Sequence, residues 1–248
     1  MLKILAARYQ QGFRTIGYPD RPAVLPDRLR GLPVILAGKC PDACTLCAQV
    51  CPTGAILPGQ SLRLDLGRCL FCGACTEVCP TGAISFSNDA RLAAGKRADL
   101  VIGSDGPKLA GGFDCQMFGR SIQFRQVSAG GCNGCEVDIN VLTTVVFDLS
   151  RFGIKIVASP RHSDGLLVTG PVTRNMKSAT IDTCAAVPTP RLVVAVGACA
   201  ISGGMFRDQP EQNNGVTDLL PVDLFIPGCP PHPITILDGL LRLIGRVK

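Results

Sequence analysis

The chain has 248 residues, of which 14 are cysteine, and its formal charge is +6 at pH 7. A hydrophobic fraction of 46% with 18% charged residues excludes a disordered chain, and the length suffices for one large domain or two ordinary ones. No uncharged apolar run approaches the ~20 residues of a membrane-spanning helix, and no secretory signal is recognisable. We therefore expect a reducing compartment, where cysteines are more often metal ligands than disulfide partners.

Eight of the cysteines fall within residues 40–79, in two runs that each end in Cys-Pro-Thr-Gly-Ala-Ile. The two phrases begin at Cys51 and Cys79, so the repeat distance is 28 residues. Closely spaced cysteines wrap one [4Fe-4S] cube, and the remote cysteine before proline binds the other cube. This rule assigns one cluster to Cys40, Cys44, Cys47 and Cys79, and the other to Cys51, Cys69, Cys72 and Cys75.

A pair of structural zinc sites is the alternative, because zinc also accepts four thiolates. Zinc sites use pairs of cysteines rather than triplets with a remote Cys-Pro, so the pattern favours clusters. One departure concerns the first run, where three residues separate Cys40 from Cys44 instead of the usual two. The extra residue, beside Pro41, makes Cys40 the ligand that the spacing supports least.

Residues 39–90, with these two runs, resemble the two-cluster bacterial ferredoxins. Residues 1–38 place Leu2, Ile4, Leu5 and Arg8 at helical spacing and resemble the lead-in of the ferredoxin-type subunit of complex I and its hydrogenase relatives. In that family the opening helix lies against membrane subunits. The alternative is a helix that packs on its own domain.

Residues 91–119 are rich in glycine and poor in helix or strand pattern, so we expect a linker there. Cys115 lies in this segment without a cysteine nearby and is not expected to bind metal.

Residues 120–248 alternate apolar, β-branched runs with helical stretches, which predicts an α/β domain with an open, mainly parallel, flavodoxin-like sheet. The predicted strands cover 122–127, 154–157, 166–168, 192–196 and 222–226, and the predicted helices cover 136–149, 174–184 and 234–244.

Four cysteines of this second half each follow a predicted strand. Cys132 and Cys135 come after the first strand, Cys199 after a later one and Cys229 after the last. Because the carboxyl ends of parallel strands meet at one crevice, the four thiols could hold a third [4Fe-4S] cluster. Ordinary buried cysteines are the alternative, and Cys184, inside a predicted helix, is interpreted in that way.

Several motifs of this half resemble the small subunit of the energy-converting, membrane-bound [NiFe]-hydrogenases of group 4, the formate hydrogenlyase type in particular. That domain is homologous to the complex I subunit that carries the last cluster before quinone. The motifs are Gly131-Cys132-Asn133-Gly134-Cys135-Glu136, Ser159-Pro160-Arg161-His162, Gly197-Ala198-Cys199 and Pro227-Gly228-Cys229-Pro230-Pro231.

Two details bear on the chemistry that this resemblance implies. The complex I subunit has two adjacent cysteines at the first ligand position, whereas this chain has Cys132-x2-Cys135 as hydrogenase small subunits do. Many hydrogenase small subunits continue into a part with two more clusters, and here we expect the ferredoxin block to supply the electron-entry clusters instead.

Three polar residues are candidates for proton or redox-tuning roles. Glu136 follows Cys135 at a predicted helix start, where the helix dipole favours a carboxylate in any case. Arg161 and His162 follow the second strand at the same sheet edge, and simple interface contacts are an equal alternative for them. His232 is expected to start the last helix.

The sequence therefore predicts an electron-transfer subunit with three [4Fe-4S] clusters, and no catalytic residue of its own. The resemblance implies a nickel–iron site in a separate large subunit, membrane subunits of a complex I-like arm, and an electron donor or acceptor of ferredoxin or formate dehydrogenase type. It also implies a peripheral place on the cytoplasmic side of the cell membrane. The alternatives are a complex I-like subunit without nickel and a free electron carrier. Nucleic acid is not an expected partner, because the basic residues would offset cluster charge of about −2 each.

Overall fold

The computed structural model describes residues 2–41, 44–57, 59, 61–104, 106, 118 and 121–247. The first element, helix α1 (Leu2–Gln11), has no buried residue. Leu2 is 83% exposed and Tyr9 is 90% exposed. The predicted helix is therefore present, but it does not pack on its own domain. No helix of the described residues is both long and apolar enough to cross a membrane.

Residues 12–32, which we call the strap, run across both halves of the molecule. The Ile16 amide donates to the Val146 carbonyl at 2.9 Å, and the Tyr18 hydroxyl donates to Asp238 at 2.5 Å. Farther along, the Gly31 amide donates to the Ser87 carbonyl at 2.8 Å. Along the chain, the lead-in thus forms hydrogen bonds first with the second half and then with the cysteine-rich half.

The cysteine-rich half is built from short elements that follow the sequence repeat. Its two antiparallel sheets pair β1 with β4 and order the other strands β2-β3-β5. Helix α2 contains Cys47 and helix α3 contains Cys75, and each Cys-Pro-Thr-Gly-Ala-Ile phrase leads into a strand at its isoleucine. The elements are β1 (Pro33–Ile35), α2 (Leu46–Gln49), β2 (Ile56–Leu57), β3 (Arg63–Asp65), α3 (Ala74–Val78), β4 (Ile84–Phe86) and β5 (Val101–Ile102).

The described part of segment 91–119 is more ordered than a linker. Strand β5 pairs with β3, and Leu100 and Ile102 are fully buried beside it. The Ala94 amide and carbonyl also bond to Phe225 in the second half, at 3.0 and 2.8 Å. The apolar residues of this stretch are too few to show a period, so the sequence reads as a loop. Cys115 lies outside the described residues.

The second half contains a five-stranded, all-parallel sheet. Its strands are β6 (Ile122–Ser128), β7 (Ile154–Ile156), β8 (Gly165–Thr169), β9 (Leu192–Val196) and β10 (Leu224–Ile226). Their order is β10-β9-β8-β6-β7, which is the flavodoxin-like arrangement and confirms the predicted fold class.

Helices cover both faces of this sheet. Successive strand residues point to opposite faces of the sheet. On one face, Leu166 and Val193 belong to the core that continues into the cysteine-rich half. On the opposite face, Leu167 and Val194 belong to a second core, which packs beneath helices. The helices are α4 (Gly134–Val141), α5 (Arg174–Ala186), α6 (Ala198–Ser202) and α7 (Pro233–Leu243). Cys184 is buried in α5, as predicted.

Two helices differ from expectation. The helix predicted over 136–149 ends at Val141, because Thr143 and Thr144 return their hydroxyls to carbonyls three residues back at 2.8 and 2.7 Å and the chain turns. Helix α6 was not predicted, since five residues between glycines show no helical period.

The two halves also meet directly beside the cysteines. The Ser202 hydroxyl, at the end of α6, donates to the Gly67 carbonyl at 2.8 Å, two residues before Cys69. A Cβ on Gly67 would lie only 2.8 Å from Ile201. This close approach places the loop that precedes Cys69 against the helix that contains Cys199.

Candidate metal centres

The structure brings most of the predicted thiols of the first set together. Cys47 is buried in α2, and its thiol interacts electrostatically with those of Cys40 and Cys79. Burial is the main cause that raises the pKa of Cys47, and the two neighbouring thiols raise it further. Cys44 precedes α2, and its amide donates to the Pro41 carbonyl at 3.2 Å. Cys40, the ligand that the spacing supports least, therefore lies close enough to Cys47 for the two thiols to interact.

The second set is more deeply enclosed. Burial raises the pKa of Cys69 to about 12, with further increases from Cys75, Cys51 and Cys72. Burial likewise raises the pKa of Cys75 to about 11, and Cys72 and Cys51 add to it. The thiols of Cys51 and Cys72 thus act on both Cys69 and Cys75, so the four lie in one group, which needs positive charge to hold its members as thiolates.

The two Cys-Pro-Thr-Gly-Ala phrases direct matching donors at their sulfurs. The amides of Ala55 and Ala83 donate to Cys51 and Cys79, each at 3.2 Å. The Thr81 hydroxyl lies 3.7 Å from the Cys79 sulfur. Burial acts to raise the pKa of Cys79, but the hydrogen bonds from Ala83 and Thr81 outweigh it and lower that pKa. These donors stabilise a charged sulfur and would tune the potential of a bound cluster.

The third set lies at the carboxyl edge of the parallel sheet. Cys132 is in the connection from β6 into α4, Cys135 is in the first turn of α4, Cys199 is in α6 and Cys229 follows β10. Burial raises the pKa of Cys135, and the thiols of Cys199, Cys229 and Cys132 raise it further. Burial also raises the pKa of Cys199 to about 11, again reinforced by Cys229 and Cys132. The structure therefore brings these four thiols close enough together at the carboxyl edge of the sheet to interact electrostatically.

Glycines allow the backbone to approach two of these sulfurs. A Cβ built on Gly197 would lie 2.5 Å from the Cys135 sulfur, and one on Gly204 would lie 2.7 Å from the Cys199 sulfur. Both glycines have positive φ, at +90° and +53°, which side chains rarely adopt. The sequence shows only that glycines flank the cysteines, and the contacts themselves require the fold.

The three sets are neighbours in a row. The thiol of Cys47 in the first set acts on that of Cys75 in the second, and Cys72 in the second acts on Cys229 in the third. The second set therefore lies between the other two.

The donor sets fit iron–sulfur cubes better than single ions. Within the described ranges, no three His, Cys, Asp or Glu side chains are placed to hold one metal ion. A cube carries an iron at each of four corners, so its four thiolates stand apart around it instead of meeting at one point. The amide groups directed at the sulfurs of Cys51 and Cys79 would stabilise the thiolates of such a cube.

Glu136 lies beside the third set in a fixed position. Its side chain is 5% exposed, and Oε1 accepts hydrogen bonds from the hydroxyls of Ser128 and Thr169, both at 2.7 Å. Its charge contributes to the raised pKa of Cys135. The sequence identified this residue, but not the two hydroxyls that hold it.

The other polar candidates have different surroundings. Arg161 and His162 are exposed in a short 3-10 helix (Pro160–His162), and neither side chain forms a hydrogen bond or ion pair with a residue that the structure describes. His232 starts helix α7 as expected, with Nδ1 accepting from the Ile234 amide at 3.2 Å. The structure thus brings Glu136 to the thiols but leaves Arg161 and His162 at the surface.

Comparison with known proteins places this arrangement in a family. The family described as NADH ubiquinone oxidoreductase, 20 Kd subunit, matches residues 132–243, and a 4Fe-4S binding domain matches residues 62–85. A probable membrane-bound hydrogenase subunit, mbhJ, of Pyrococcus furiosus is 43% identical over 133 residues, which cover 54% of this chain and 80% of that protein. The chain belongs to the 20 Kd subunit family. The predicted resemblance to a group 4 hydrogenase small subunit with a ferredoxin domain is confirmed.

Relatives within the 20 Kd subunit family include both hydrogenase-type and complex I-type proteins. Formate hydrogenlyase subunit 7 of Escherichia coli is 45% identical over 52% of this chain and 51% of its own length. NAD(P)H-quinone oxidoreductase subunit K of a Picosynechococcus species is 43% identical over 46% of this chain and 47% of its own length. The chain thus spans about half the length of these two relatives. Its relatives are oxidoreductase subunits, and its 4Fe-4S domain supports iron–sulfur electron transfer.

Proposed function

We propose that this chain is an electron-transfer subunit that binds three [4Fe-4S] clusters in a row. The observation that carries the proposal is the neighbourhood of three thiol sets, linked through Cys47 with Cys75 and through Cys72 with Cys229. The bound clusters would supply one-electron redox chemistry at low potential. The proposed ligands are Cys40, Cys44, Cys47 and Cys79 for the first cluster, Cys51, Cys69, Cys72 and Cys75 for the second, and Cys132, Cys135, Cys199 and Cys229 for the third.

The partner that best fits this chain is a large subunit with a nickel–iron site, where protons are reduced or hydrogen is oxidised. Electrons would enter at the ferredoxin half and leave from the crevice of Cys132, Cys135, Cys199 and Cys229. The hydrogenase-type relatives and the spacing Cys132-x2-Cys135 support this choice. Glu136, buried at the same crevice, is the candidate for moving a proton there.

We place the complex at the cytoplasmic side of the membrane, with this chain held peripherally by membrane subunits and receiving electrons from a ferredoxin- or formate dehydrogenase-type protein. One relative is a probable membrane-bound hydrogenase subunit, which supports a place at the membrane. The apolar side chains of α1, including Leu2 and Ile4, are exposed and available for such contacts. Arg161 and His162 are proposed as contacts with a partner subunit rather than as cluster neighbours.

A complex I-like subunit without nickel is the second candidate. The family description and the quinone oxidoreductase relative favour it. The chain would then pass electrons toward a quinone through the same three clusters.

Anaerobic purification of the complex that contains this chain tests the proposal. Three cubes predict about twelve iron per chain, whereas about eight would remove the third cluster. Nickel in a co-purifying large subunit, together with hydrogen turnover, is expected, while a nickel-free complex that reduces quinone would favour the second candidate.

The variant Cys229→Ala tests the role of the third cluster within that complex. Hydrogen activity should be lost while two cluster signals remain, because the other eight ligands are untouched. Turnover equal to that of the parent protein would contradict the proposed place of the third cluster. Cys115→Ser should leave the iron content unchanged.

A further inference from the structure

A groove lies beside the junction between the second and third thiol sets. Its volume is about 340 Å³, and its lining includes Cys229 on one side, Leu70 and Phe71 on the other, and the strap residues Arg28 and Arg30. Cys72 and Cys229 are both exposed and interact electrostatically across this junction. A side chain in this groove is therefore close to two of the proposed clusters at once.

Arg30 lies against the loop that contains Cys72. Its Nη1 donates to the Phe71 carbonyl at 3.3 Å. A Cβ on Gly73 would lie 2.9 Å from Arg30 Nε and 3.1 Å from its Cζ. The guanidinium thus contacts the residues on both sides of Cys72, and the glycine leaves the space that it occupies.

The backbone next to Arg30 is held in place by hydrogen bonds, and the charge of its side chain is constant. Its backbone neighbours are tied to the ferredoxin half, because the Gly31 amide donates to the Ser87 carbonyl at 2.8 Å and the Leu32 amide to the Asp89 carbonyl at 2.7 Å. No carboxylate of the described residues forms an ion pair with Arg30. A guanidinium stays protonated at any physiological pH, so its charge is constant and is not offset by an adjacent carboxylate.

We propose that Arg30 is a positioning residue for electron transfer, whose charge raises the reduction potentials of the second and third clusters. This inference rests on the proposed function, since it requires clusters at both sets. Each cluster becomes more negative when it accepts an electron, so a nearby cation stabilises the reduced form. The two clusters also repel each other's added electron, and the attraction of each cluster to the nearby cation offsets part of that repulsion. The first set, beyond the second, lies outside the groove that Arg30 lines.

Redox titration of the full chain, followed by electron paramagnetic resonance under anaerobic conditions, tests the proposal. In Arg30→Gln, two of the three midpoint potentials should shift to more negative values, and the third should not move. Arg30→Lys keeps a positive charge and should restore most of the shift. The shift should be smaller at high salt, because the Arg30 side chain is exposed.

Arg21→Gln is the matched control. Arg21 is exposed in the same strap, and its side chain packs on Gly17 instead of on a cysteine loop, so its replacement changes the net charge equally. We expect its three midpoints to match those of the parent chain. Unchanged potentials in Arg30→Gln, or equal shifts of all three in both variants, would overturn the role of Arg30. Iron analysis of the parent chain and of each variant separates the two proposals. Missing clusters in the parent chain count against the proposed function. Full iron in Arg30→Gln with unchanged midpoint potentials counts against the role of Arg30 alone.

Discussion

At the scale of single residues, two glycines leave the space that two sulfurs of the third set occupy. Gly197 approaches the Cys135 sulfur and Gly204 approaches the Cys199 sulfur so closely that no side chain fits between. The third site therefore depends on residues that bind nothing themselves.

Gly197→Ala should remove the third cluster selectively. The added methyl would lie 2.5 Å from the Cys135 sulfur, and alanine is strained at a φ of +90°. Iron should fall from about twelve to about eight per chain. Gly38→Ala is the control, because nothing lies within 4 Å of its Cβ and its φ is not positive. Full iron in Gly197→Ala would show that the sulfur can move aside.

A second residue-scale difference separates the two otherwise matched phrases. The Thr53 hydroxyl donates its single proton to the Arg68 carbonyl at 2.8 Å, although it also lies 3.8 Å from the Cys51 sulfur. The Thr81 hydroxyl contacts the Cys79 sulfur and no other acceptor among the described residues. Of these two cysteines, Cys79 is therefore the one whose sulfur can receive a hydroxyl hydrogen bond as a thiolate.

Thr81→Val should lower the potential of one cluster, and Thr53→Val should change none. A hydrogen bond that is stronger by about 1 kcal/mol in the reduced state corresponds to a shift on the order of 40 mV for one electron. Redox titration of the two variants measures the difference directly. Equal shifts in both variants would contradict the asymmetry.

At the scale of elements, helix α7 depends on an uncharged histidine at its start. His232 caps the helix through Nδ1, which accepts a hydrogen bond from the Ile234 amide and can do so only while the ring is neutral. Burial lowers the pKa of His232 below its ordinary 6.5. The cap therefore contributes its full stability above pH 6.5, and this contribution is lost as the pH falls through the lowered pKa of the folded state.

Comparison of the parent chain with His232→Asn across pH 5 to 8 checks this dependence. Asparagine can cap the helix without titrating, so the parent should lose thermal stability relative to the variant on the acid side of pH 6.5. His232→Ala should cost about 1 kcal/mol at pH 8, because it removes the cap altogether. A difference between the parent and His232→Asn that does not vary with pH would contradict the neutral cap.

The sequence predicts the long elements well and the short ones poorly. The inner strands β8 and β9 are buried on both faces, so they appear as apolar runs, and β9 is found at its predicted bounds. Strand β5 and helix α6 are too short to show a period. Pairing with β3 stabilises β5, and a hydrogen bond to Gly67 in the other half stabilises α6. The end of α4 was misplaced because the hydroxyls of Thr143 and Thr144 bond locally, which an apolar pattern does not reveal.

The candidate site likewise combines features that the sequence predicts with contacts that it does not reveal. Cysteine spacing leads to the first two proposed sets, because their ligands mostly lie close together in the chain, whereas the third proposed set follows from cysteines that each come after a strand. The contacts of Arg30 with the Cys72 loop join residues 41 positions apart, from Arg30 to Phe71. Such contacts follow from the tertiary fold, and no local pattern records them.

At the scale of the whole molecule, the positive charge of the chain offsets the negative charge of its proposed clusters. The formal charge is +6, and three oxidised cubes with their thiolates would add about −6. Loaded protein should therefore focus at a clearly lower pH than cluster-free protein under anaerobic conditions. Cys229→Ala, with two cubes, should focus between them. Identical positions for all three forms would contradict the cluster charge.

The core that runs from the ferredoxin half into one face of the parallel sheet has a kinetic consequence. Leu64 and Ile102 belong to the same buried cluster as Leu166 and Val193, and the strap fastens both halves from outside. Two separate redox proteins must collide and reorient before an electron can pass, whereas here that encounter is completed when the chain folds. Exchange between the second and third centres should accordingly be insensitive to dilution and to solvent viscosity.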